Sequence, residues 1–104
     1  MAVETTAPHV FATAERNVTT SGTAVQLSTA SLPVYSVLIV AKTTNQGNIY
    51  VGDSGVDKTT EPTNPLAAGG SIELTSHEGY RLNLNRVYLD ADQDGEGVWY
   101  TYLA

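Results

Sequence analysis

The stretch from Arg86 to Ala104, RVYLDADQDGEGVWYTYLA, restricts the fold more than any other part of the chain. Two strand-like runs, Arg86–Ala91 and Gly97–Leu103, flank an acidic, glycine-containing connection, Asp92-Gln93-Asp94-Gly95-Glu96. Two β-prone runs joined by a short turn-rich link have the pattern of a β-hairpin. At 104 residues the chain supports one domain, and a domain of this size buries roughly 65% of its unfolded surface. A hairpin in so small a unit reads as the edge or seam of an all-β module.

The remaining segments agree. Val34–Thr44 (VYSVLIVAKTT) is the firmest element, and its apolar run Val37-Leu38-Ile39-Val40 predicts a central strand buried on both faces. Three β-branched residues in that run, with Pro33 before it, favour a strand over a helix. Asn45–Gly47 predicts a tight turn, and Asn48–Gly52 its hairpin partner. Weaker strands are expected over Val10–Thr19, Thr23–Leu27, Ser71–Thr75 and Tyr80–Leu84, with Asp53–Gly70 as a surface loop. About seven or eight short strands at roughly 8–12-residue spacing predict one antiparallel β-sandwich or jelly-roll-like barrel. That domain spans residues 12–104, and residues 1–11, rich in Thr and Ala and broken by Pro8, form an N-terminal arm.

Charge and composition narrow the partners. Eleven acids against five bases give a net charge of -6, and Arg16, Lys42, Lys58, Arg81 and Arg86 are scattered, so no nucleic-acid partner is expected. With no cysteine, disulfides and thiolate metal sites are excluded. Met1–Thr6 has neither the basic nor the apolar part of a signal peptide. The longest apolar run, Val37–Ala41, is far short of the about 18 residues that suggest a membrane span.

Candidate chemistry is sparse. Asp90-Ala91-Asp92-Gln93-Asp94-Gly95 matches the start of a calcium-binding EF-hand loop, making Asp90, Asp92 and Asp94 the candidate metal ligands. The twelfth loop position, where a bidentate glutamate belongs, is Thr101, and the flanks are strands. A solvated acidic turn is the better reading, and no cofactor is expected. Gly52-Asp53-Ser54-Gly55 is like the nucleophile segment of chymotrypsin-like proteases, but the chain lacks room for two barrels and a positioned base; a β-turn fits these residues better. His9 and His77 stand alone, without metal-ligand spacing. Asn17-Val18-Thr19 is a formal glycosylation sequon. No catalytic constellation is legible, so the chain reads as a non-enzyme.

Aromatic residues are the remaining feature. Along Gly97–Leu103, Val98, Tyr100 and Tyr102 share one face, and Trp99, Thr101 and Leu103 share the other. One face belongs inside; the other then exposes aromatic surface, and Trp99, Tyr100 and Tyr102 become candidates for a subunit contact or a sugar platform.

The order Ile49-Tyr50-Val51-Gly52, then Asn64-Pro65-Leu66-Ala67-Ala68-Gly69-Gly70-Ser71-Ile72-Glu73-Leu74, then Val87-Tyr88-Leu89-Asp90-Ala91-Asp92 with Gly95-Glu96-Gly97-Val98, resembles small β-sandwich virion proteins of tailed bacteriophages that decorate or cement the capsid. The likeness runs from about Val34 to Ala104, and its motif is a strand-and-turn pattern without catalytic residues. It implies a structural protein on the outer capsid surface, bound to the major capsid protein, commonly as a trimer, after assembly in the host cytoplasm. On that reading Val3, Pro8, Val10 and Phe11 of the arm are the candidate capsid contacts. A head–tail or tail accessory, or a small carbohydrate-binding sandwich, are the alternatives.

Overall fold

A computed structural model describes residues 11–104. Nine strands and one short helical turn follow in order: β1 (Phe11–Asn17), β2 (Val25–Gln26), β3 (Pro33–Val34), β4 (Ser36–Ala41), β5 (Ile49–Gly52), β6 (Ser71–Thr75), β7 (Leu82–Asn83), a 3-10 turn (Leu84–Arg86), β8 (Tyr88–Ala91) and β9 (Gly97–Leu103). They form a four-stranded sheet β1-β9-β4-β6, a three-stranded sheet β2-β8-β5 and a small β3-β7 ribbon, with every pairing antiparallel. The fold is all-β and sandwich-like.

Alternation builds the four-stranded sheet. In β1, Ala12, Ala14 and Arg16 turn inward while Phe11, Thr13, Glu15 and Asn17 face out; β6 does the same with Ile72 and Leu74 inside. The inner face meets the second sheet in one apolar core, to which β4 gives Val37 and Ile39, β9 gives Val98, and β5 and β8 give Ile49, Val51 and Leu89. Ile39 is fully buried opposite Tyr100 and Ile72. Ile39→Ala is expected to lower stability by about 2–5 kcal/mol through lost transfer energy and a residual cavity. Urea melts check this, and a loss below about 1 kcal/mol would contradict the packing.

Three sequence expectations are corrected. First, Arg86–Ala91 and Gly97–Leu103 do not pair with each other: β8 lies between β2 and β5, and β9 between β1 and β4. Their acidic link is an arch that carries the chain from one sheet to the other. Second, the same holds for Lys42–Asn48, since β5 pairs with β8 and not with β4. Third, the run Val37–Val40 is not buried on both faces; Val37 and Ile39 are interior, but Leu38 is 42% exposed. The strands covered on both sides are β5 and β8. Their cover includes the long 53–70 segment, whose Leu66 exchanges backbone hydrogen bonds with Ile49 (2.9 and 2.7 Å) and whose Val56 is buried. Paired this way, the segment also closes the free edge of β5.

Candidate interaction surface

The acidic arch shows what its carboxylates do. Asp92 Oδ2 accepts the Asn48 amide at 2.9 Å, and its Oδ1 accepts the Tyr50 hydroxyl at 2.9 Å. Glu96 accepts the Gln46 and Gly47 amides at 2.6 and 3.0 Å. Asp94 accepts the Ser21 amide at 2.7 Å. Asp90, fully buried, accepts from the amides of Gly22, Lys58 and Ala91 at 2.8–2.9 Å. One arch therefore caps the other, because a carboxylate satisfies backbone donors that a tight turn cannot pair internally. Burial, and then the Asp92 carboxylate, push the Tyr50 hydroxyl above its ordinary range.

The candidate calcium ligands Asp90, Asp92 and Asp94 each accept at least one backbone amide. Among the described residues no three acidic or imidazole side chains converge on a metal position. A cation here would compete with backbone N–H groups for the same oxygens. Calcium or EDTA is expected to leave the melting temperature unchanged; a calcium-dependent rise of several degrees would overturn this assignment.

The protease-like segment is a turn. The Val56 amide donates to Asp53 O at 3.0 Å and the Gly55 amide to Asp53 Oδ1 at 2.8 Å. Ser54 shares a cleft with Gln26, Asp53, Asn85, Arg86 and Tyr88, and among the described residues no imidazole lines it. His77 closes a separate turn through Tyr80, at 2.9 Å. His9 and the proposed capsid contacts Val3, Pro8 and Val10 lie outside the described residues.

The outer face of the four-stranded sheet is different in kind. Phe11 is 75% exposed, and Leu38 and Trp99 are each 42% exposed. The register sets Leu103 between Phe11 and Ser36, Thr101 between Thr13 and Leu38, and Trp99 between Glu15 and Val40. A shallow depression of about 420 Å³, lined by Phe11, Leu38, Glu73, Tyr102 and Leu103 among others, occupies one end. At the other end Lys42 pairs with Glu15, donates to Asn17 Oδ1 at 3.0 Å, and sits 5.8 Å from the Trp99 ring centroid. The result is a mixed face on which Phe11, Leu38, Trp99 and Leu103 stand among Thr13, Thr101 and Glu73, with the Lys42–Glu15 ion pair at one end. Apolar surface gathered on a single sheet face is the usual mark of a contact site.

Of the aromatic candidates, Trp99 projects from this face, while Tyr102, in the inward phase of β9, borders only the depression at its end. Tyr100 is buried and turns inward, with its ring 6.2 Å from that of the half-buried Tyr102, so Tyr100 does not offer a subunit contact. Phe11, assigned to the arm, is the first residue of β1 and pairs with Leu103. Leu38 was missed, and Leu103, which the alternation of Gly97–Leu103 sets on the Trp99 face, was not named as a contact. With four successive apolar residues in β4, alternation gave no phase to mark Leu38 as outward.

Comparison with protein-family models, with curated proteins and with solved structures finds no match. Among the described residues no helix is long and apolar enough to cross a membrane.

Proposed function

We propose that this chain is a non-enzymatic structural protein that binds a larger assembly through the outer face of its four-stranded sheet, and that this assembly is the shell of a tailed bacteriophage. On this reading it is a decoration protein on the outer capsid surface, held by the major capsid protein and associated as a trimer. The carrying observation is the exposed apolar set Phe11, Leu38 and Trp99 on one regular sheet. A rigid, pre-formed face loses little entropy on docking, which suits a cementing role. The strand-and-turn resemblance supplies the identity of the partner, and the sparse charge of the chain suits a flat, dry contact.

Leu38→Lys tests the reading, because its side chain is exposed and the change leaves the core intact. Shells assembled from the major capsid protein of the phage that carries this chain are sedimented with wild-type or variant protein. Wild-type chain should co-sediment, and the variant should bind at least about tenfold more weakly at an unchanged melting temperature. Wild-type protein that ignores the shells, or a variant that binds equally well, would refute the proposal. Native mass spectrometry reads the trimer directly.

A further inference from the structure

The two main sheets end differently. In the three-stranded sheet the 53–70 segment closes β5, with Leu66 on Ile49 and the Val51 amide on Thr63 O at 3.1 Å. In the four-stranded sheet both outer strands, β1 and β6, lack such cover. The Val18 amide donates to Glu96 O at 2.8 Å in the β1–β9 register. Alternate residues of an antiparallel pair exchange bonds. Ala12, Ala14 and Arg16 therefore bond to β9, and the N–H and C=O groups of Phe11, Thr13 and Glu15 point away from it. The Ala41 amide on Gly70 O, at 2.8 Å, sets the phase of β6 in the same way. Ile72 and Leu74 bond to β4, and the backbone groups of Ser71, Glu73 and Thr75 point outward. Among the described residues no hydrogen bond reaches these outward groups. Neither strand carries a proline, a lysine or a bulge to blunt its edge, and the inward-turned Arg16 is tied to Gln26 O at 2.7 Å.

We infer that β6 of one copy pairs with β1 of the next, extending the four-stranded sheet across a subunit boundary. Three antiparallel steps separate β1 from β6, so the two edges run in opposite directions. A second copy with the same face outward then adds an antiparallel strand. One register suits the side chains. Thr13 opposite Glu73 places Thr75 beside Phe11 and Ser71 beside Glu15 on the outer face, and sets the small Ala12 and Ala14 against Leu74 and Ile72 on the inner face. Sliding two residues to bring Glu15 opposite Glu73 would oppose like charges, as would β6 pairing with itself about Glu73. The contact joins two different surfaces, as a closed ring of three requires. It rests on the self-association proposed above, and it leaves Phe11, Leu38 and Trp99 on the outer face for the shell.

The chain has no cysteine, so introduced thiols report on the seam alone. Within one copy, positions 13 and 73 stand about 14 Å apart at the usual strand spacing, beyond the reach of a disulfide. Across the seam their Cα atoms would lie at about 5.5 Å, within reach. Both side chains are exposed. Full-length Thr13→Cys and Glu73→Cys, mixed in equal amounts and oxidised, should give at least about tenfold more covalent dimer than either variant alone. The chain carrying both substitutions should run as a covalent trimer on a non-reducing gel. Glu73→Pro, tolerated on an edge strand because the lost N–H faces outward, should abolish the oligomer in native mass spectrometry while the β-sheet circular dichroism is retained. The inference is overturned if the mixture cross-links no better than the single variants, or if 13–13 or 73–73 dimers dominate. A native trimer without the 13–73 link removes this seam and keeps the trimer, whereas an open ladder of products keeps the seam and refutes the ring of three. A monomer throughout removes both, and binding to shells is read separately by sedimentation.

Discussion

Asp90→Ala is expected to lower stability by about 3–5 kcal/mol, the cost of stripping a buried charged group from several partners at once. The carboxylate is fully buried and receives three backbone amides, those of Gly22, Lys58 and Ala91. These belong to three separate parts of the chain, and alanine leaves all of their N–H groups without an acceptor. Asp90→Asn keeps one oxygen for Gly22 and Ala91 but turns an NH2 toward the Lys58 amide, so a smaller loss of roughly 1–3 kcal/mol is expected. Urea unfolding measures both, and hydrogen exchange at Gly22 and Lys58 should accelerate first. If alanine costs less than about 1 kcal/mol, the acid is not the fastener described.

The second large effect is expected at Gly97. A Cβ on this residue would stand 2.2 Å from Arg16 O, 2.4 Å from Asn17 Oδ1 and 2.6 Å from Asn17 Cα. Two of these are backbone atoms of the paired strand β1, which cannot rotate away. Nor can Gly97 move, because its carbonyl accepts from the Lys42 amide at 3.0 Å and from Asn45 Nδ2 at 2.8 Å. Gly97→Ala should therefore cost roughly 3 kcal/mol, the upper end for overpacking. Gly95 gives the contrast within the same arch: a Cβ there meets nothing within 4 Å, and its φ of +80° is the only obstacle. Gly95→Ala should cost about 1–2 kcal/mol. Equal losses at the two positions in thermal melts would show that steric contact with β1 is not the decisive factor.

Element positions were legible in the sequence because each strand carries its own period-two pattern. Ser71–Thr75 lies where its alternation places it, and Val34–Thr44 contains β4. Pairing was not legible. A turn-rich link between two apolar runs looks the same whether the strands fold back beside each other or pass into facing sheets. What separates the two outcomes is remote: Asp92 and Glu96 reach the amides of Gln46, Gly47 and Asn48 in the other arch. The acidity that suggested a calcium loop was the trace of these caps. Of the candidate contact surface, Trp99 and Phe11 could be named from sequence, whereas Leu38 depended on the register of β4 with β9.

The sheet order β1-β9-β4-β6 has a consequence for biosynthesis. β9 is the middle partner that joins β1 to β4, so a growing chain carries both flanking strands long before it has the one that unites them. Thr13 and Thr101, neighbours across that seam, are separated by 88 positions. Until residues 97–103 leave the ribosome, the inner faces of β1 and β4 have no seal and the nascent chain is exposed to misassociation. Such a topology, dominated by distant pairings, folds on the slow side for its size, and its four-stranded sheet closes only once β9 is available.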